Sequence, residues 1–362
     1  MAGEMLEHVS NYVDYSEVIQ PISGNPTGKH FLSAYQLSAP DIADYMVEAE
    51  AAEAVLASLR RGAPIVPYAV LKVVMQQPST RTGGSMTTAM QKMGGIAELY
   101  SGMQASSEAK GESPADTWVA FATQADIIGT RTPQVYGPAF AALSIERSLQ
   151  AGKLRRRVPI INLGDGINEH PTQTMGDLFT IRKHFYTPSD GPAVSRVKDF
   201  EGLELVAVGD HERYRALHSL YIAAATLGIK VTAVESRAAP VPDEYVWLLG
   251  DRLQRTDDLD GAMKGADVLY VGRNPDEYVG DNPEELDRSR KLAHSYAGWI
   301  VDHDRLQQMP KDSALLHPRP RRDELELSVD SDPRALDVPQ MENMIPARMA
   351  VLARHLGTSV LA

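Results

Sequence analysis

The sequence contains no cysteine. That absence excludes disulfides, thiolate zinc sites, iron–sulfur clusters and a cysteine nucleophile. It also lacks any apolar stretch approaching the length of a membrane span. The opening residues, MAGEMLEHVSNYVDYSEV, have no basic region followed by an apolar run, so no secretory signal is expected and the cytoplasm is the default compartment. Positive charge is in deficit: 36 Lys and Arg stand against 48 Asp and Glu, a formal net charge of −12. Non-specific attraction to nucleic acid or to an anionic membrane is therefore not expected. A negative total still allows several arginines to be focused into one cleft. Internal repeats and low-complexity tracts are also missing.

What is present is a chain of 362 residues, long enough to favour two domains. Its first thirty or so residues are polar, carry Pro21, Gly24, Pro26 and Gly28, and read as an extension ahead of the fold. From Leu37 to about Arg60 the pattern predicts an amphipathic helix with a start signal at Ser38-Ala39-Pro40. Short apolar, strand-like runs then alternate with helical stretches. The runs are Ala69 to Met75, Ile96 to Tyr100, Ala125 to Gly129 and Val158 to Leu163, then Leu203 to Val208, Lys230 to Val234, Val268 to Val271, Trp299 to Val301 and Ala314 to Leu316. Helical pattern covers Met175 to His184 and Ala216 to Leu227, and the turn-rich TPSDGPAVSRVKD between them reads as a domain junction. Apolar, β-branched strands alternating with helices predict an α/β protein of two domains, each a parallel β-sheet covered by helices.

Three motifs follow predicted strands. Ser79-Thr80-Arg81-Thr82-Gly83-Gly84 opens a predicted helix, SMTTAMQKMGG. A helix N-terminus offers unpaired N–H groups and the positive end of its dipole, and hydroxyls with an arginine fork would complete a phosphate site. Taken alone, the same residues suit an ordinary helix cap beside a solvated arginine. The second motif, Gly164 to Thr174 (GDGINEHPTQT), places His170 and Gln173 three residues apart at a strand-to-helix turn. Imidazole can polarise a carbonyl and the glutamine amide can read an amide-like group. A lone histidine in such a turn is more often structural, but ligands of α/β sheets gather at the C-terminal ends of strands. The third, Val208 to Arg215 (VGDHERYR), lacks the G-x-G-x-x-G of a dinucleotide site. Arg215 near the helix start suits a carboxylate instead, and Arg273 after another strand offers a second fork.

Arg131 in IIGTRTP and Lys110 in SSEAKGES add further polar candidates, each singly compatible with a plain surface role. His317-Pro318-Arg319-Pro320-Arg321 forms a stiff turn whose prolines lack N–H groups, leaving carbonyls free to accept bonds from an amine.

In this order, PSTRT, KGESPADT, GDGINEHPTQT, VGD…R…HSL, ADVLYVGR, HPRPRRDE, VDSDPRA and a late EN…RMAVL resemble the aspartate/ornithine carbamoyltransferase family from about Gly28 onward. The GDG before the histidine and the arginines at 215 and 273 resemble its aspartate branch. The resemblance implies a homotrimer with active sites at subunit boundaries, acting on carbamoyl phosphate and L-aspartate without metal, cofactor or covalent intermediate. It implies an N-terminal extension 1–28, a carbamoyl-phosphate-binding domain 29–175, an acceptor-binding domain 176–338, and a C-terminal helix in 339–362 that packs back on the first domain. Ser79, Thr80, Arg81 and Thr82 would then bind phosphate. Arg131 and His170 would hold the carbonyl oxygen, and Gln173 the amino group. Ser106 and Lys110 match loop residues inserted by a neighbouring subunit. Arg215 and Arg273 match the residues that grip the two aspartate carboxylates, and Arg319-Pro320 the backbone that orients the amine. Arg81, Thr82, Lys110, Arg131 and His170 would carry the chemistry, with domain closure bringing the reactants together.

The chain departs from the family at several positions. Gly83 stands where many relatives carry arginine, at a position that reads as permissive. Gln76 and Gln77 lie where an acidic residue is common. Pro275 replaces the usual glutamine, Arg319 an apolar residue, and Met344 and Pro346 alter the last helix. The phosphate half of the site is therefore expected intact, and the acceptor half more altered. A different amine acceptor and a non-catalytic paralogue are the alternative readings, and regulatory or other enzyme subunits are left open.

Overall fold

The computed structural model describes residues 14–59, 62–102, 113–186, 200–273 and 283–361. These form two compact units. Unit 1 holds the described residues up to 176 and again from 344, and unit 2 holds those of 177–343.

Unit 1 begins earlier than the sequence suggests. Within the stretch expected to precede the fold, Val18 and Ile19 are buried in the same apolar cluster as Leu32, Val74, Trp118 and Ile128, and Ile22 is wholly buried. The cause is burial: three aliphatic side chains among polar neighbours are enough to pin a segment, each gaining about 1.5–3 kcal/mol when taken from water. Helix α1 (Ala39–Leu59) follows. Ser38 and Asp41 cap it reciprocally, Asp41 N–H donating to Ser38 Oγ at 3.3 Å and Ser38 N–H to Asp41 Oδ2 at 2.9 Å. Ile42, Tyr45, Met46, Ala49 and Ala52 form its buried stripe, at the spacing of one helix face.

Then come β1 (Val70–Met75), α2 (Thr80–Lys92), β2 (Ile96–Ser101), α3 (Pro114–Ala122), β3 (Ile127–Thr132), α4 (Gly137–Gln150) and β4 (Ile160–Asp165). The four strands are parallel in the order β2-β1-β3-β4. Strand β3 starts two residues later than the sequence pattern suggests, because Ala125 and Asp126 belong to the turn that feeds it. Helix α2 likewise begins at Thr80 and stops before Gly94, whose positive φ of 79° ends it.

Helix α5 (Pro171–Phe185) is longer than the MGDLFTIRKH segment, since Pro171 is favoured in a first helical turn. Unit 2 then carries β5 (Glu204–Val208), α6 (Arg215–Leu227), β6 (Lys230–Val234), α7 (Asp243–Leu249), β7 (Leu253–Thr256), α8 (Leu259–Met263), β8 (Val268–Val271), α9 (Pro283–Gly298), α10 (His303–Leu306) and β9 (Ala314–Leu316). Its five parallel strands run β7-β6-β5-β8-β9. Trp299 to Val301 is not a strand: Val301 makes one isolated bridge to Leu325, while Trp299 and Val301 serve the unit 2 core. Strand β7, LQRT, went unseen in the sequence because an exposed edge strand needs no apolar face. The junction expected at TPSDGPAVSRVKD lies outside the described residues. Helix α11 (Asp337–His355) closes the chain, and the division between the units falls within it at Asn343 and Met344.

Candidate active site

In unit 1 the strand order reverses between β1 and β3, because the chain moves from β1 outward to β2 and then returns to the other side for β3. A crevice opens at the carboxyl ends of strands at such a reversal, and ligands of open α/β sheets bind there. Ser79-Thr80-Arg81-Thr82 lies just past β1, Arg131 is the penultimate residue of β3, and His170 with Gln173 lies just past β4. The fold thus brings these candidates to one edge of one sheet.

Ser79 is the N-cap of α2, its Oγ accepting from Thr82 N–H at 3.4 Å. This cap is the bland role foreseen for the motif, and it also sets the helix start that presents its N–H groups outward. Thr80 and Arg81 are exposed and Thr82 is buried. Gly83 is tighter than its sequence suggests. A Cβ there would sit 3.2 Å from Leu99 Cδ1 and 3.7 Å from Met75 Cγ, so a side chain at this position needs Leu99 to give way.

Arg131 sits where the β3–β4 register slips, between Thr130 and Thr132. Such irregularities re-aim a side chain at a strand end. Its carbonyl accepts from the N–H groups of Gln76 at 2.9 Å and Gln77 at 3.2 Å. Its Nε donates to Gln77 Oε1 at 3.2 Å, so the contact is with a neutral amide.

The turn before His170 is built on Asp165, which is buried and accepts from Asn162 Nδ2, Asn168 Nδ2 and the N–H groups of Tyr136 and Glu169. Burial pushes the Asp165 carboxyl up, and these hydrogen bonds oppose it. Gly166 has φ +53°, and a Cβ there would fall 2.8 Å from the Pro133 carbonyl, so only glycine fits. Glu169, also buried, takes the Ser33 hydroxyl and the Ala34 N–H. His170 is 5% exposed, and its carbonyl receives the N–H groups of Gln173 and Thr174 as α5 begins. Arg348 of α11, 1% exposed, donates to the Thr82 carbonyl at 3.3 Å and to Ser85 Oγ, fastening the start of α2.

Unit 2 repeats the logic. Its strand order reverses between β5 and β8, with Arg215 following β5, Arg273 following β8, and the His317–Pro320 turn following β9. Two glycines let the strand ends close up: a Cβ on Gly209 would lie 3.1 Å from the Gly272 carbonyl, and one on Gly272 3.0 Å from Tyr214 Cδ1. Burial drives the Tyr214 phenol upward; the guanidiniums of Arg273 and Arg215 oppose this, and the carboxylates of Glu324 and Asp177 add to it. Asp210, wholly buried, accepts from Arg288 at 2.8 Å and from the Arg213 N–H. Arg213 in turn forms a bidentate pair with Glu285 at 2.5 and 2.7 Å.

The turn after β9 is held by a buried chain of hydrogen bonds. Tyr270 Oη donates to Asp177 Oδ2 at 2.9 Å, and Gln340 Nε2 to Asp177 Oδ1 at 2.6 Å. Gln340 Oε1 accepts from the His317 N–H at 2.8 Å. The Arg319 N–H donates to His317 Nδ1 at 3.0 Å, which puts the imidazole proton on Nε2, facing Glu324 at 2.9 Å. Burial pushes Glu324 up, but the bonds from His317 and the Arg322 N–H bring it below the usual carboxylate range. Arg319 is left-handed at φ +55°, a conformation costing a non-glycine residue about 1–2 kcal/mol, and its peptide bond to Pro320 is cis. Its side chain is paired with Asp337.

Residues 29–183 match the family model for the aspartate/ornithine carbamoyltransferase carbamoyl-P binding domain, and residues 201–355 that for the Asp/Orn binding domain. The chain belongs to the aspartate/ornithine carbamoyltransferase family. Among its relatives are aspartate carbamoyltransferase catalytic subunits. That of Methanothrix thermoacetophila is 33% identical over 90% of this chain and 97% of its own. That of Thermoplasma acidophilum is 32% identical over 80% and 85%. Aspartate transcarbamoylase of Trypanosoma cruzi, solved with carbamoyl phosphate and aspartate, superposes with a TM-score of 0.78 at 27% identity, covering 94% of this chain and 100% of that one. The M. jannaschii catalytic subunit gives 0.72 at 30% identity, over 90% and 97%.

This carbamoyltransferase therefore carries the family's two halves on two sheets, each candidate group at a strand's carboxyl end. Ser106, Lys110 and Pro275 lie outside the described residues. Among those described, no cluster of three or more His, Asp or Glu is arranged to hold a metal ion, and no helix is long and apolar enough to cross a membrane. Sequence reasoning missed the residues behind the site: Asp165, Glu169, Asp177, Glu324, Asp337, Gln340 and Arg348. Each bonds to a group remote in sequence or hidden in a turn; Asp165, Glu169, Glu324 and Arg348 lie within the family motifs, whereas Asp177, Asp337 and Gln340 lie outside them.

Proposed function

We propose that this chain is an aspartate carbamoyltransferase that converts carbamoyl phosphate and L-aspartate to N-carbamoyl-L-aspartate and phosphate, in de novo pyrimidine synthesis in the cytoplasm. The observation that carries the reading is the candidate phosphate half-site: a Ser-Thr-Arg-Thr helix start beyond β1, with Arg131 near the end of β3 and His170 beyond β4. Ser79, Thr80, Arg81 and Thr82 bind the phosphate. The aspartate amine attacks the carbamoyl carbon, and negative charge grows on the carbonyl oxygen. Arg131, His170 and Thr82 stabilise that charge by hydrogen bonding, where a single such donor is typically worth about 100- to 1000-fold in rate. Gln173 reads the amino group. Phosphate leaves with its charge matched by Arg81, Lys110 and the α2 N-terminus, and itself takes the amine proton. Arg215 and Arg273 grip the acceptor carboxylates, and the carbonyls of the Arg319-Pro320 turn receive the amine. Neither metal nor cofactor enters this scheme.

The working assembly is a homotrimer with shared sites, in which Ser106 and Lys110 come from a neighbouring subunit. Support comes from edge strand β2, whose Ile96 and Leu99 are 48% and 50% exposed just before that segment of chain. Relatives named as catalytic subunits favour a regulatory partner as well. The test of the phosphate site is calorimetric titration with carbamoyl phosphate. Arg81→Ala should weaken binding by about 100-fold or more, as expected for losing a bidentate charged contact. Unchanged affinity would remove Ser79–Thr82 from the site.

A further inference from the structure

The Arg319 side chain adds a cation to a turn that, in the reading above, receives an amine. On charge alone this is unfavourable. An acceptor ammonium is repelled by a free guanidinium, and the acceptor's carboxylates are offered a third fork that competes with Arg215 and Arg273. The structure resolves the conflict within unit 2. Arg319 Nη2 is bonded to Oδ2 of Asp337, the first residue of α11. The Asp337 side chain is 3% exposed and that of Arg319 is 19% exposed. Arg319 Nε is buried with no hydrogen-bond partner among the described residues, so Asp337 is the side-chain anchor of this guanidinium. The main chain of Arg319 is anchored separately, through its N–H to His317 Nδ1. One residue in the left-handed region is thus tied at both ends, and those ties fix where its carbonyl points.

We propose that Asp337 is a positioning residue for the acceptor half-site. By neutralising and immobilising the Arg319 guanidinium, it lets the turn present main-chain carbonyls, and no cation, to the acceptor amine. Arg319 and Asp337 are therefore a matched pair that preserves acceptor specificity. The inference rests on the aspartate carbamoyltransferase reading and deepens it.

The test is a double-mutant cycle with steady-state kinetics on the assembled enzyme, using Asp337→Asn, Arg319→Leu and the double variant. Asp337→Asn should raise KM for aspartate by about tenfold or more while kcat changes less than about threefold, because the freed cation acts on acceptor binding. Carbamoyl phosphate affinity should stay put, a split that general loosening of the fold does not produce. The double variant, with both charges gone and the main chain retained, should return the aspartate KM to within about threefold of wild type. Equal KM increases in Asp337→Asn and the double variant would overturn the pairing. So would parallel losses for both substrates. Should Asp337→Asn fail to fold, the double variant decides alone, and a tenfold rise in its aspartate KM contradicts the proposal. A wild-type enzyme inert toward aspartate would overturn the functional reading and this inference together. Normal wild-type turnover with an additive cycle would overturn this inference alone.

Discussion

His355 uses both ring nitrogens internally. Nδ1 donates to the Lys29 carbonyl at 2.8 Å, Nε2 accepts from the Tyr45 hydroxyl at 2.8 Å, and the ring lies in stacked contact with Phe31 and Tyr45. Burial holds its pKa down at about 3. The bond to the Lys29 carbonyl opposes that shift, while the charges of His30, Arg354 and Lys29 add to it. An unfolded histidine titrates near 6.5, so the folded value is depressed. The stability this gives is fully present above about pH 6.5 and is lost as pH falls toward 3. His30 and His211, also depressed first by burial, act in the same sense. Urea unfolding should therefore show wild type losing about 2 kcal/mol at His355 alone between pH 7.5 and pH 5. His355→Gln should be less stable at pH 7.5 and show a shallower fall. An equal fall in both proteins would contradict this assignment.

At the scale of elements, α11 does more than cover a core. Gln340 bridges the His317 N–H and Asp177 Oδ1 within unit 2, and Arg348, eight residues or just over two turns further along, bonds to the Thr82 carbonyl of α2 within unit 1. Gln340→Leu keeps the bulk but strands a buried donor and a buried acceptor. It should cost about 2–5 kcal/mol by thermal or chemical denaturation and raise KM for the acceptor. A loss below about 0.5 kcal/mol would mean that the turn stands without this bridge. Elements of this kind mark the border of what the sequence reveals. Strands β6, β8 and β9 were legible to the residue because buried parallel strands are written as short, mainly apolar runs: KVTAV, VLYV and ALL. LQRT of β7 carries no such run, and the apolar Trp299–Val301 run serves packing instead of pairing. The arginines and His170 were legible through ordered motifs. Gln340 was not, since an amide in an amphipathic helix looks solvated until its partner 163 residues away is known.

At the scale of the whole molecule, the described residues form two parallel sheets that each reverse strand order once, and candidate residues gather at each reversal. Such segregation suits a transferase, in which a donor and an acceptor need separate recognition before they react. On the proposed reading, Ser-Thr-Arg-Thr, Arg131, His170 and Gln173 would serve the phosphate side, and Pro275 and Arg319 would fall on the acceptor side. Acceptor identity is thus where the account is most exposed. The most direct measurement is a carbamoyl-transfer assay on the purified protein, with carbamoyl phosphate and a panel containing L-aspartate and L-ornithine. The account predicts phosphate release and N-carbamoyl-L-aspartate formation with aspartate and none with ornithine. Turnover with another acceptor alone, or silence across the panel from protein that binds carbamoyl phosphate, would contradict it.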